Sequence, residues 1–236
     1  MATLQGTSDS DQLTGTSESD KIYGFEGDDV LSGEGGNDSI YGGSGNNTLY
    51  GGDGSDFLWV GDDAGNNRLF GEAGDDFLTG GSGDDYLSGG AGDDRLQAGE
   101  GDDLLLSGTG IDIMHGGQGN DSFNAIFADP ADPRRLGLII NDGSINSTAI
   151  DSITAYGEQG DDLIYGTNGN DVLDGGDGDD WLFGADGNDK LLSSSGRDVL
   201  NGGNGDDHYF VKNASVRLED SGGDDSIMVR ADWLKV

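Results

Sequence analysis

The stretch from Gly80 to Ser88 reads GGSGDDYLS, and GGAGDDRLQ and AGEGDDLLL follow it directly. A nine-residue period fits neither the 3.6-residue turn of a helix nor the two-residue alternation of an isolated strand. It is therefore the feature that most limits the fold. Aligned on this period, the first block runs from Gly6 to Asn124, with units starting at 6, 15, 24, 33, 42, 51, 62, 71, 80, 89, 98, 107 and 116. Its one slip is Val60-Gly61, two extra residues. A second block runs from Gly157 to Phe210, with units starting at 157, 166, 175, 184, 193 and 202. Together the 13 + 6 = 19 units cover 171 of the 236 residues.

Three positions of the unit are nearly fixed. The fourth is glycine in 17 of 19 units, Asp9 and Glu18 being the exceptions. The sixth is aspartate in 17 of 19, the exceptions being Asn47 and Asn67. The eighth is always apolar or aromatic, from Leu13 and Ile22 through to Leu200 and Tyr209. The eighth residue centres a strand of about three residues and points inward. The six residues before it are glycine-rich and free to enter positive φ, so they turn. Turn, strand, turn, strand closes one coil in 18 residues. Coils stacked at about 4.8 Å pair as parallel sheet, and stability comes from the stacking. The fold class is all-β: a parallel β-solenoid with two short strands per coil and about ten coils, roughly 48 Å long.

Stacking brings the sixth-position aspartates of every second unit close together. One edge carries Asp11, Asp29, Asn47, Asn67, Asp85, Asp103 and Asp121; the other carries Asp20, Asp38, Asp56, Asp76, Asp94 and Asp112. The second block adds Asp162, Asp171, Asp180, Asp189, Asp198 and Asp207. Bare carboxylates at that spacing repel one another. The whole chain repeats the difficulty, with 47 acidic residues against 11 basic ones and a net charge of −36. A hard divalent cation between the coils reverses the sign. Calcium takes about six to eight oxygens from carboxylates and backbone carbonyls, both of which glycine turns supply. Folding is then linked to filling the sites. Asn47 and Asn67 are neighbours with the Val60-Gly61 insertion between them, so that site is expected to be vacant or water-filled, with a bulge at the insertion.

The same composition excludes other classes. Glycine is 47 of 236 but shows no triplet period, which excludes collagen. Nucleic acid is not an expected partner, because phosphate needs a basic face. With no cysteine there are neither disulfides nor thiolate metal sites. No 18-residue apolar run spans a membrane, and MATLQGTSDS does not read as a cleaved signal peptide.

Units such as GGDGSDFLW (51–59), GGSGDDYLS (80–88), GGAGDDRLQ (89–97) and GGDGDDWLF (175–183) resemble the RTX calcium-binding repeats. The resemblance implies a right-handed parallel β-roll with several calcium ions in its turns. It also implies bacterial type I secretion, without a cleaved signal peptide, of a chain that folds in extracellular calcium. Such modules are commonly attached to proteases, lipases, epimerases, toxins and adhesins, none of which is recognisable here.

The expected organisation is one solenoid: cap-like repeats at 1–23, a first block at 24–124, an insertion at 125–156, a second block at 157–210 and a strand-rich flank at 211–236. Residues 125–156 read either as a linker or as an extruded hairpin. In the hairpin reading, Asp151 and Ile153 resume the rhythm of the sixth and eighth positions.

Outward-facing aromatics suggest a second role. Tyr23, Tyr41 and Trp59, with Phe57 and Phe77, form a ladder, and Trp181 repeats the theme in the second block. Such a ladder grips sugar rings or a partner's apolar face, or simply stacks across strands. A polysaccharide or cell-surface partner is the alternative reading. Catalysis has little support: no nucleophile elbow, HExxH helix or phosphate loop occurs, and His115 and His208 lie in distant units. An unrecognised enzyme site would be sought around Arg134, Arg135 and His115.

Overall fold

A computed structural model describes residues 1–61, 65–123, 152–212 and 215–229. All regular structure among them is β. Two parallel sheets of 12 and 11 strands take alternate strands of the chain, so each strand pairs with the second one along. Lys21–Glu26 thus lies on Ser39–Ser44 in one sheet, and Val30–Gly35 on Thr48–Asp53 in the other. Among the described residues no helix is long and apolar enough to cross a membrane.

Partners are 18 residues apart along most of the roll. The spacing rises to 20 where Val60-Gly61 are inserted and to 41 across the second interruption. There Ile111–Gln118 pairs with Ser152–Gln159, and Ser122 pairs with Leu163. Both sheets therefore continue across the break, while residues 124–151, which hold most of the expected hairpin, lie outside the described residues. The pairing also corrects the register expected there. Ile153 stands opposite Asp112 and Ala155 opposite Met114. The sixth position is thus Ile153, not Asp151, and the eighth is Ala155. The apolar rhythm resumed two residues later than the composition suggested, because Ile153 imitates an eighth-position residue.

Strands are also longer than expected. Most span six residues, from the seventh position of one unit to the third of the next, as in Tyr86–Ala91. The turn proper is only the fourth to sixth positions. The flank after Phe210 belongs to the roll as well: Arg217–Glu219 pairs with Val199–Asn204, and Ser226–Val229 with His208–Val211.

Eighth-position residues form the core. From Ile22 to Leu200 their side chains are almost fully buried, in one file per sheet. Each such leucine removes enough apolar surface to contribute about 1.5–3 kcal/mol. The small Ala155 and the large Phe123 fall in successive half-coils, both buried. The second position of the unit carries left-handed backbone. At Gly99 φ is +128°, and an added Cβ would lie 2.0 Å from the Gly81 carbonyl oxygen. Phe25, Glu34, Glu72, Glu158 and Ala185 hold the same position with φ of 76–84°, a cost of about 1 kcal/mol each for a residue with a Cβ.

Candidate metal centre

The sixth-position aspartates follow the last turn residue and precede the inward strand, so the chain carries them inside the corner of each coil. They are buried from Asp20 to Asp207 despite their charge. The expected pairing by alternate units holds. The amide of Asp38 donates to Asp56 Oδ1 at 2.7 Å, that of Asp56 to Asp76 Oδ1 at 2.8 Å, and that of Asp76 to Asp94 Oδ1 at 2.8 Å. The other row runs Asp85, Asp103, Asp121, Asp162, Asp180 and Asp198 in the same way.

One oxygen of each carboxylate is thereby satisfied, and the other decides the chemistry. Oδ2 is buried without a hydrogen-bond partner in Asp29, Asp38, Asp56, Asp76, Asp94, Asp103, Asp121, Asp162, Asp180, Asp189 and Asp207. Except in the Asp103 unit, which opens with Ala98, it faces the first-position glycine of its own unit. The place a Cβ would take on Gly71 lies 2.3 Å from Asp76 Oδ2 and 2.5 Å from the Gly89 carbonyl oxygen of the next coil. At Gly33 the corresponding distances are 2.2 Å to Asp38 Oδ2 and 2.5 Å to the Gly51 carbonyl. Acceptor oxygens thus converge where there is no donor, which costs the full desolvation of the buried group.

Six positions resolve that conflict internally. Asn47 Nδ2 donates to the Gly43 and Gly45 carbonyls at 3.2 and 3.3 Å, and Asn67 Nδ2 to Gly65 at 2.8 Å. Val60, one of the two inserted residues, packs into the same corner: its Cγ1 lies 3.1 Å from where a Gly42 Cβ would be. The expected water-filled vacancy is therefore closed by an amide and a methyl group. Asp11, Asp20 and Asp171 accept at Oδ2 from the backbone amides of Thr7, Thr16 and Thr167 at 2.6, 2.8 and 2.6 Å. The Ser193 hydroxyl donates to Asp198 Oδ2. In the row of Asp94 and Asp112, along the 12-stranded sheet, Ile153 has no carboxylate to offer, although its amide still donates to Asp171 Oδ1 at 2.7 Å.

The electrostatics separate these groups. Burial, reinforced by facing carboxylates, pushes Asp56, Asp76 and Asp94 up to about 6, 7 and 8 along one row. It pushes Asp103, Asp121 and Asp162 up to about 6, 7 and 8 along the other. Asp180 and Asp189 rise to about 7. Asp20 is instead held below the ordinary value, chiefly by the Ala2 amide and then by Thr16. Asp171 rises to about 6 through burial, against its threonine contacts.

The unsatisfied donor set fits calcium: it is all oxygen, from carboxylates and turn carbonyls, with no sulfur or imidazole in either row. His115 Nδ1 sits 3.1 Å from Glu158 Oε1 and stacks on Tyr156. His208 faces Ser226. Arg134 and Arg135 lie outside the described residues.

The sequence reading missed a second ladder. Fifth-position side chains bond to the following coil: Asp102 N donates to Asp84 Oδ1, Asn120 N to Asp102 Oδ1 and Asp161 N to Asn120 Oδ1. Alternation among aspartate, asparagine and serine hid it, since all three accept equally well. It also missed Asp225, which accepts from Asp207 N at 2.9 Å and so holds a sixth position beyond the second block. The Gly-Gly-Asp-Asp run before Ser226 was the signal for it.

Of the aromatic residues, Tyr23, Tyr41, Phe57, Trp59 and Phe77 share the outer face of the 12-stranded sheet, whereas Trp181 lies on the other sheet. Tyr23 and Tyr41 stack at 4.8 Å, Phe57 and Phe77 at 5.5 Å, and Trp59 stands edge-on to Tyr41.

A parallel solenoid whose corners present files of cation-seeking carboxylates is a calcium-binding β-roll. The model of the RTX calcium-binding nonapeptide repeat matches residues 5–40, 32–64, 62–96, 97–125, 156–191 and 183–211, and the chain belongs to that family. No curated protein matches it.

Proposed function

We propose that this calcium-binding module leaves the cell unfolded, by a type I route without a cleaved leader, and folds in extracellular calcium to stabilise or present the protein that carries it. The observation that carries this reading is the file of buried Oδ2 atoms without donors. At neutral pH without metal these charges oppose the fold, so calcium acts as the folding switch. The ligands are Asp29, Asp38, Asp56, Asp76, Asp94, Asp103, Asp121, Asp162, Asp180, Asp189 and Asp207, with Asp85 and Asp112 in the same rows. Asp11, Asp20, Asp171 and Asp198, already satisfied by hydroxyl or amide donors, contribute less. Circular dichroism during a calcium titration of the chelator-treated chain tests it. A transition from coil to β-structure is expected; the same β-spectrum in chelator and in calcium contradicts it.

A second reading, polysaccharide binding, is favoured by one recess. Tyr23, Phe25, Tyr41, Trp59 and Val60 line an open hollow of about 360 Å³. Phe25 is 47% exposed there. Sugar rings stack on such walls. Glycan binding should disappear in Trp59→Ala and survive in Trp181→Ala; equal binding by both variants rules the recess out.

A further inference from the structure

The geometry points to one glycan-binding trough along the outer face of the 12-stranded sheet, with the aromatic recess as only one end of it and a linear glycan free of acidic groups as its occupant. The floor is a file of second-position residues. It runs from Phe25 through Gly43, Gly61, Gly81, Gly99 and Gly117 to Glu158. Gly61 belongs to the file because it follows Trp59 as Gly43 follows Tyr41, and those two residues are paired. Five successive coils thus put no side chain on the floor, and only the end members do. From Phe25 to Glu158 the file spans about 29 Å at about 4.8 Å per coil. The other sheet has no such run. There Glu34 and Glu72 alternate with Gly52 and Gly90 and divide the face.

Two walls flank the floor. Ninth-position side chains form one, passing from Tyr41 and Trp59 through Thr79 to Gln97 and His115 on paired strands. Third-position side chains form the other, with Glu100, Gln118, Gln159 and Asp177 in register. Between them lies a second hollow of about 640 Å³, larger than the aromatic recess and polar where the recess is apolar. Glu158 closes its far end, with Oε1 3.1 Å from His115 Nδ1, and the His115 ring stacks on Tyr156 at 4.8 Å. Aromatic walls take the apolar faces of sugar rings. Carboxamides both donate to and accept from sugar hydroxyls. A long open floor with this sequence of walls suits an extended chain of several rings. Among the described residues lining the two hollows there is no lysine or arginine, whereas Glu100, Glu158 and Asp177 are acidic. A uronate or sulfated chain would therefore be repelled.

The inference rests on the polysaccharide reading of the recess and extends it, but the two fail differently. Binding to the full chain, folded in calcium, is measured by calorimetry with trimers and hexamers of glucose, of N-acetylglucosamine and of galacturonate. A neutral hexamer is expected to bind, its trimer more weakly, and the galacturonate hexamer not at all. In Gln97→Ala/Gln118→Ala the neutral hexamer should bind about tenfold more weakly, since two hydrogen-bonding side chains are lost, while the trimer, seated on the recess, binds as before. Trp59→Ala should weaken both lengths. Circular dichroism in calcium checks that each variant remains folded. Parental hexamer affinity in the double variant overturns the trough and leaves the recess standing. Parental affinity in Trp59→Ala overturns the recess and the trough with it. Galacturonate binding as tight as that of a neutral hexamer, or no binding of any neutral hexamer, overturns the assignment of the occupant.

Discussion

Replacing Asp76 by asparagine should make the metal-free roll more stable, although it removes a calcium ligand. In the folded, metal-free chain, burial and the facing Asp56 carboxylate push Asp76 from 3.8 up to about 7. Holding that group charged at about pH 8 costs roughly 4 kcal/mol, a ceiling because water reaching the turn screens part of the charge. The amide keeps Oδ1 for the Asp56 amide, 2.8 Å away. Its nitrogen can donate to turn carbonyls as Asn47 does to Gly43 and Gly45, for about 0.5–1.5 kcal/mol per bond. A net gain of about 3–5 kcal/mol follows from those terms. The pH dependence has a definite sign. A carboxyl raised in the folded state favours folding when protonated, so its penalty grows as pH rises from 3.8 through about 7. The variant's advantage is full at about pH 8 and absent below about pH 4. In calcium the advantage narrows, since losing one ion held at a hundredfold its Kd forfeits about 2.7 kcal/mol. The assay is folding induced by trimethylamine oxide in chelator, followed by circular dichroism. Asp76→Asn should fold at lower osmolyte than the parent chain at about pH 8, and equally at about pH 4. A variant that needs as much osmolyte or more at the higher pH refutes the reasoning.

Gly71→Ala should release one calcium and cost about 1–3 kcal/mol, because its Cβ meets Asp76 Oδ2 and a backbone carbonyl. Gly222→Ala, with nothing within 4 Å of its Cβ, should change the denaturation midpoint little. Asn47→Asp should destabilise the roll by about 1–3 kcal/mol without adding a calcium, since Val60 occupies that corner; calorimetric ion counting checks it. Leu87→Ala, stacked between Leu69 and Leu105, should lose about 2–5 kcal/mol in calcium, read by urea denaturation.

The fold was legible because each unit places glycine, aspartate and an apolar residue at fixed spacing, and stacking follows from that. The two edges were legible for the same reason. What the sequence hid is competition for Oδ2. Thr7, Thr16, Thr167 and Ser193 look like tolerated variants of glycine positions, yet their amides or hydroxyls satisfy the carboxylate a cation would otherwise need. Only the three-dimensional corner brings them within reach. Ile153 misled for a different reason: after an irregular segment, one isoleucine fits the sixth or the eighth position until its pairing with Asp112 fixes the register. The tail escaped notice because Val216 replaces one sixth-position aspartate, breaking the visible period while the strands continue to pair.

Anomalous diffraction from crystals grown in calcium tests the central claim most directly. Ions are predicted beside Oδ2 of Asp38, Asp56, Asp76 and Asp94, with none beside Asn47 or Asn67. Peaks at the asparagine corner, or an ordered roll whose aspartate corners hold no ion, would contradict it.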